Sequence, residues 1–387
     1  MRRFAPLFAL TVALPLTAHT VIAEDRAEPV PAAALAPEHP EAVAPRIQIA
    51  ILLDNSGSMG GLIDQARTHL WSVVNEFAAT RYEGELPQLE VALYEYGYGK
   101  PVQLSGLTTD LDAISEKLFA ISINGGSEHC GQVIDAAVNS LAWSDSPTDY
   151  RAVFIAGNEP FTQGPVDYVT ACKSAISKGI LVNTIHCGNE QAGVDGKWRD
   201  GAMLADGSFL TINQNRATIY VEAPQDQEIA QLNSELNDTY VYYGDAGQAA
   251  AARQEAQDAN ASKLSPKASL DRAAAKAGGQ YRNAGWDLVD AVSEEKVELA
   301  KVEAEDLPEA MRDMDAAQRE AYVKEMAEKR ADIQKKIKEL TAARNEHVAA
   351  ERARLAEESG EADLGEAMRT AVREQLQAKN YQREQAE

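Results

Sequence analysis

The stretch IAILLDNSGSMGG, residues 49–61, decides the fold. It begins as an apolar run typical of a buried strand and ends in three short oxygen-bearing side chains at alternate positions, Asp54, Ser56 and Ser58. One interpretation is an ordinary turn, since Asp, Asn, Ser and Gly are turn residues and Ser58 can cap the helix that follows. The other interpretation is that the three side chains bind a ligand.

Residues 46–244 alternate between short apolar runs and amphipathic stretches. The apolar runs predict strands at 47–53, 89–97, 101–106, 151–157, 179–188 and 207–212. Apolar residues at helical spacing predict helices at 62–78, 110–121 and 131–143. Strands separated by helices of this length predict an α/β fold, a doubly wound and mostly parallel sheet that is covered on both faces. Ligands of such sheets bind at the carboxyl ends of the strands, which is where the three side chains lie.

The oxygen atoms of one carboxylate and two hydroxyls suit a hard cation such as Mg²⁺, and so few charged ligands leave the cation able to bind an outside carboxylate. DNSGSM (54–59), followed later by a Gly-Gly-Ser loop that opens a helix, resembles the von Willebrand factor type A (VWA) domain family over residues 46–213. The resemblance implies a metal-ion-dependent adhesion site for Mg²⁺, or for Mn²⁺ or Ca²⁺ instead. It implies direct binding by Ser56 and Ser58, binding through water by Asp54, and a second-loop hydroxyl from Ser127.

The third loop departs from the family pattern. VWA domains usually carry Thr-Asp-Gly after the fourth strand, whereas this chain reads IAGNEPF at 155–161, so Gly157 occupies the carboxylate position. Asn158 or Glu159, one or two residues further on, is then expected to reach the water shell of the cation. If neither residue reaches it, the resemblance implies a weak site or a degenerate, metal-free domain.

Two classes of enzyme also place an acid or a serine directly after a buried strand. A haloacid-dehalogenase-like phosphatase needs a second carboxylate at the position of Ser56, so its acid/base partner is missing. A serine hydrolase carries its nucleophile in Gly-x-Ser-x-Gly, and neither Ser56 nor Ser58 has that context. The residues therefore favour a binding module over an enzyme, and a metal-dependent hydrolase is the less favoured alternative.

The N-terminus has the pattern of a secretory signal. Arg2 and Arg3 precede the apolar run 4–18, and Val21-Ile22-Ala23 suits a signal peptidase, so residues 1–23 are expected to be removed. The run is shorter than the ~20 residues of a membrane helix, and no membrane insertion is expected. Residues 24–45 are rich in Pro, Ala and Glu and predict a disordered linker. We expect a periplasmic or secreted protein.

Three cysteines occur, at Cys130, Cys172 and Cys187. In an oxidising compartment we expect one disulfide and one free thiol. Cys130 and Cys187 are both expected near the carboxyl edge of the sheet, which favours a disulfide between them. Cys172, within the predicted helix 166–179, is the alternative partner of Cys187. The dipeptides His129-Cys130 and His186-Cys187 also allow a second hypothesis, a soft-metal site for Zn²⁺ or Cu⁺.

The chain is strongly acidic, with a formal net charge of -23. Such a surface repels phosphate backbones and anionic lipid, so nucleic acid is a disfavoured partner. Cations and basic or polar protein surfaces remain. We expect a protein partner that contributes an acidic side chain to the metal.

Residues 245–387 are enriched in Ala, Glu, Lys, Arg and Gln and predict a helical region. Within it, the Gly- and Pro-free stretch 309–359 carries one thin apolar stripe, formed by Met311, Met314, Val323, Met326, Ile333, Ile337, Leu340 and Val348. A partner helix or the first domain has to cover this stripe. The alternatives are a solvated helical appendage and a coiled coil that joins copies into a homo-oligomer. A metal-free scaffold would assemble through this region.

Overall fold

The computed structural model describes residues 45–215, 220–355 and 364–383. The predicted signal (1–23) and, except for Pro45, the predicted linker (24–45) lie outside these residues. The strands are β1 (Arg46–Asp54), β2 (Thr80–Arg81), β3 (Gln88–Tyr96), β4 (Val102–Thr108), β5 (Tyr150–Gly157), β6 (Leu181–Cys187), β7 (Phe209–Ile212) and β8 (Gln382–Arg383). The predicted strands are confirmed with small shifts at their ends, and the pair β2 and β8 was not predicted.

Six of the strands form one sheet in the order β4-β3-β1-β5-β6-β7. Every neighbouring pair is parallel except β3 and β4, which run antiparallel. The chain adds β3 on one side of β1 and β5 on the other, so the winding direction reverses at β1. This reversal is the topological switch point, and ligands of doubly wound sheets bind in the crevice there.

The helices are α1 (Gly60–Ala78), α2 (Leu111–Ala120), α3 (Cys130–Ser140), α4 (Tyr168–Ser177), α5 (Glu190–Asp195), α6 (Trp198–Met203), α7 (Asp226–Asn237), α8 (Gly247–Leu264), α9 (Pro266–Ala277), α10 (Leu288–Ser293), α11 (Glu309–Arg312), α12 (Ala316–Leu355) and α13 (Leu364–Ala378). Two short 3₁₀ turns, Leu299–Lys301 and Ala304–Asp306, precede α11. None of the described helices combines the length and apolar character that crossing a membrane requires.

The central strand β1 is buried on both faces, which is why its sequence reads as a continuous apolar run. Ile49 and Leu53 pack on one face in a core shared with α1 and α2. Ala50 and Leu52 pack on the other face in a core shared with α3 and α4. The predicted doubly wound, mostly parallel sheet with a helical C-terminal region is confirmed.

The predicted disulfide is wrong, because all three cysteines are free and buried. Cys130 and Cys172 pack in the core beneath α3 and α4, whereas Cys187 packs in the core beneath α1. Comparable height along the sheet does not bring Cys130 and Cys187 together, since the two side chains belong to cores on opposite faces.

The chain's own helices cover much of the apolar stripe on α12. Val323 and Met326 pack with Leu288 of α10, while Ile333 and Ile337 pack with residues of α7 and α9. The helix begins at Ala316 because the backbone N–H of Asp315 donates to the side-chain oxygen of Gln318 and the backbone N–H of Gln318 donates to the carboxylate of Asp315, at 2.9 Å each. A buried ion pair of 2.6 Å between Arg272 of α9 and Asp112 then joins the helical region to α2.

The last described segment returns to the sheet. Met368, Val372 and Leu376 of α13 are buried in the same core as β1 and α1. Arg373 donates two hydrogen bonds of 2.6 Å to the carboxylate of Glu76 on α1. After α13 the chain forms β8, which pairs antiparallel with β2 directly after α1. The core beneath α1 is thus completed by residues far along the chain.

Candidate cation site

The first loop of the site leaves β1 at the switch point. Asp54 is 0% exposed, and its Oδ1 accepts a hydrogen bond of 2.8 Å from the backbone N–H of Ser56. The Ser56 and Ser58 hydroxyl oxygens lie 3.4 Å apart, and the hydroxyl of Ser58 points to the side-chain oxygen of Asn158 at 3.5 Å. Four predicted site residues therefore come together from two loops.

The interpretation of Ser58 as a helix cap does not hold. Met59 is the N-cap residue of α1, and no side chain caps this helix through a hydrogen bond. The exposed Ser58 hydroxyl instead faces Ser56 and Asn158. Its position is explained by the site and not by the helix.

The carboxylate of Asp54 is left without full compensation. Its Oδ2 is buried and accepts no hydrogen bond from any part of the chain that the structure describes. Burial raises the pKa of Asp54 from 3.8 to about 7; hydrogen bonds from Ser56 oppose this rise, and repulsion from Glu128 and Glu159 adds to it. A buried anionic oxygen that has no donor is the arrangement that a bound cation would satisfy.

The second loop is held against the first by backbone hydrogen bonds. The N–H of Asn124 donates to the carbonyl of Asn55 at 2.7 Å, and the N–H of Ser127 donates to the carbonyl of Gly97 at 2.9 Å. Gly125 has a φ of +95°, and a Cβ there would lie 2.1 Å from the Gly97 oxygen, so only glycine allows this approach. Ser127 itself is exposed.

Glu128 belongs to the same loop but was not predicted as a site residue. It is 5% exposed, and no hydrogen bond or ion pair joins its carboxylate to another described residue. Its charge contributes to raising the pKa of Asp54. The signal that could have revealed it is an acidic residue placed directly after the loop hydroxyl and just before α3.

The third loop explains why Gly157 replaces an acidic residue. A Cβ at Gly157 would lie 2.6 Å from the Tyr96 hydroxyl and 3.1 Å from Asp54 Oδ2. Tyr96 is buried and donates a hydrogen bond of 2.9 Å to the carbonyl of Ala156, so it occupies this space firmly. Asn158 reaches the site through Ser58, whereas the carboxylate of Glu159 accepts a hydrogen bond of 3.0 Å from Gln163.

The two His-Cys dipeptides do not form a soft-metal site in the described ranges, where no three His, Cys, Asp or Glu side chains are grouped to hold a metal. His129 Nδ1 lies 3.1 Å from the carbonyl oxygen of Gly99. His186 is buried beside Trp198, and this burial lowers its pKa.

No family model and no curated protein sequence matches the chain. Among solved structures, the chain is similar to the conserved hypothetical protein BatB from Bacteroides thetaiotaomicron, at 18% identity over 43% of this chain and 90% of that chain, with a TM-score of 0.34. It is similar to the vWF domain of the type V pili tip protein Mfa5 from Porphyromonas gingivalis, at 13% identity over 44% of this chain and 90% of that chain, with a TM-score of 0.35.

A third similar structure is proximal thread matrix protein 1 from the mussel byssus with a zinc-occupied MIDAS motif, at 13% identity over 43% of this chain and 41% of that chain, with a TM-score of 0.35. VWA domains are thus among the solved structures to which this chain is similar, as the resemblance of residues 46–213 predicts. Similarity at this level concerns the fold, so function has to be argued from the site itself.

Proposed function

We propose that this chain is a VWA-type binding module that holds a divalent cation, Mg²⁺ or Mn²⁺ or Ca²⁺, at the carboxyl edge of its sheet. The observation that carries the proposal is the buried Asp54 carboxylate, whose Oδ2 has no donor among the described residues. The proposed site residues are Asp54, Ser56, Ser58, Ser127, Asn158 and Glu159.

The oxygen donors near Asp54 fit such an ion. The two serine hydroxyls lie 3.4 Å apart and Asn158 contributes an amide oxygen, which together form the hard, weakly charged donor set that Mg²⁺ accepts. Ser56 also holds Asp54 in place through its backbone N–H. A bound cation would supply an electrophilic centre for the carboxylate of a protein partner.

The proposed partner is a protein surface that is basic or polar around one acidic side chain. A net charge of -23 on this chain attracts a basic surface at long range and repels a uniformly acidic one. The signal pattern of residues 1–23 supports a periplasmic or secreted location for this encounter. We propose binding, with no substrate turned over.

A metal-free scaffold is the competing function, and Gly157 is the observation that favours it. This position cannot carry the acidic side chain of the family pattern while Tyr96 fills the space beside it. In that case the helical region, residues 245–387, would assemble the protein without help from a cation.

Thermal unfolding with saturating Mg²⁺ and with EDTA distinguishes these functions. A cation that binds only the folded chain stabilises it by about 2.7 kcal/mol at 100 times its dissociation constant, which raises the melting temperature by several degrees. Ser58→Ala should abolish this increase and change the melting temperature in EDTA only slightly, because Ser58 caps no helix.

Ser140→Ala is the matched control, since Ser140 is an exposed serine at the far end of α3. It should retain the full response to Mg²⁺. A wild-type protein that melts at the same temperature in Mg²⁺ and EDTA would favour the metal-free scaffold. Partner capture from an envelope fraction should be lost in EDTA and in Ser58→Ala alike.

A further inference from the structure

A second carboxylate beside the candidate site, that of Glu128, has no partner among the residues that the structure describes. Glu128 is 5% exposed as a residue, and no hydrogen bond or ion pair joins its carboxylate to another described residue. The oxygens of Glu128 are not buried as Oδ2 of Asp54 is, so the region holds one buried oxygen without a donor and, beside it, a carboxylate that reaches solvent and has no partner among the described residues.

The backbone holds Glu128 close to the first loop. The second loop is joined to Asn55 by the N–H of Asn124 at 2.7 Å, and Asn55 donates from its side chain to the carbonyl of Ser122 at 3.5 Å. Glu128 directly follows Ser127, which is fixed to Gly97, and it precedes the first turn of α3. The loop therefore cannot move away from Asp54 without breaking these hydrogen bonds.

The third loop has no carboxylate at the position that the family pattern implies. The Tyr96 hydroxyl leaves no room for a side chain at Gly157. The Glu159 carboxylate already accepts a hydrogen bond of 3.0 Å from Gln163. A divalent cation at this edge of the sheet would otherwise meet only one buried negative charge, that of Asp54. Glu128 is the remaining acidic residue beside the first loop whose carboxylate has no partner among the described residues.

We infer that Glu128 is the acidic ligand that replaces the missing carboxylate of the third loop, so that the cation is held between Asp54 and Glu128 and completed by serine hydroxyls. This inference rests on the proposed cation site. Two carboxylates balance the charge of a divalent ion, and affinity at such sites rises with the number of charged ligands. The site thus takes its two carboxylates from the first and second loops, whereas the family pattern takes them from the first and third loops.

Titration of the full chain with Mn²⁺, followed by calorimetry and by the electron paramagnetic resonance of free Mn²⁺, tests this assignment. Glu128→Gln should weaken binding at least tenfold, since loss of an outer-shell partner alone costs roughly 10–100-fold. Glu159→Gln should weaken binding less than Glu128→Gln does. Glu116→Gln, an exposed position on α2, removes the same charge far from the site and should behave as wild type.

A melting curve in EDTA separates a ligand from a structural residue. Glu128→Gln should melt at or above the wild-type temperature without metal, because it removes a repulsion and breaks no hydrogen bond. If wild type binds Mn²⁺ and Glu128→Gln binds it equally well, or if Glu159→Gln is the weaker variant, Glu128 is not the ligand. If wild type binds no Mn²⁺, the proposed cation site itself is refuted.

Discussion

Replacing Asp54 by Asn should stabilise the metal-free protein, although Asp54 is fully buried at the carboxyl end of the central strand β1. Most substitutions at such positions destabilise a fold. Here the native carboxylate bears a charge that the chain does not compensate, because Oδ2 has no donor and Glu128 and Glu159 repel it. Asn keeps the shape and the oxygen that accepts from Ser56 but removes the charge.

The magnitude follows from the pKa. The pKa of Asp54 is raised from 3.8 to about 7 in the folded state, a rise of about three units, each of which is worth about 1.36 kcal/mol. The folded state binds its proton more tightly than the unfolded state, so wild-type stability should fall as pH rises from about 4 to about 7 and then level off. The full cost of the charge is about 4 kcal/mol.

Asn recovers only part of this cost. The neutral Asn oxygen accepts a weaker hydrogen bond from the Ser56 N–H than the charged carboxylate does, and the new side-chain N–H₂ group has no hydrogen-bond acceptor. Together these two effects cost about 1–2 kcal/mol. Asp54→Asn should therefore be more stable than wild type by about 2–3 kcal/mol at about pH 8 in EDTA, and no more stable than wild type near pH 4.

Urea unfolding in EDTA across this pH range measures the difference. Asp64→Asn is the control, since Asp64 is an exposed carboxylate on α1 whose ion pair with Arg67 contributes at most about 1 kcal/mol at any of these pH values. Saturating Mg²⁺ should remove most of this difference, because about 2.7 kcal/mol of stabilisation at 100 times the dissociation constant is added to wild type and none to Asp54→Asn. A variant that is equally destabilised at low and high pH would show that the charge of Asp54 is compensated within the chain, and the case for a cation would be lost.

Three further predictions concern the ends of the chain and its thiols. Leu376→Ala should lower the free energy of unfolding of the sheet domain by about 2–5 kcal/mol, because Leu376 is buried in the core beneath α1. Gln377→Ala, on the exposed face of α13, should change it little. Equal effects of the two substitutions would show that α13 is a detached appendage. Alkylation without reductant should label three cysteines after denaturation and few in the folded protein, while labelling of a single cysteine after denaturation would restore the disulfide. N-terminal sequencing of the exported protein should begin at Glu24, and a first residue of Met1 would exclude cleavage of the signal.

The sheet and its ligand edge were predictable from sequence for a local reason. Parallel strands that are buried on both faces are continuous apolar runs, and amphipathic helices repeat their apolar residues at helical spacing. β1 and α1 show both patterns, and the polar residues between them have to lie at the carboxyl end of the strand. That placement of Asp54, Ser56 and Ser58 requires no knowledge of the rest of the chain.

Other features depend on which residues meet in space. Gly157 of β5 is explained only by the Tyr96 hydroxyl of β3, on the other side of β1, and the importance of Glu128 is visible only once its place beside the first loop and its lack of a partner among the described residues are known. Cys130 and Cys187 lie in cores on opposite faces, which height along the sheet does not reveal. α13 occupies the core beneath α1 although about 290 residues separate the two helices. A periodic pattern shows that a helix has an apolar face, but which surface covers that face is decided by long-range packing, and therefore by the tertiary structure alone.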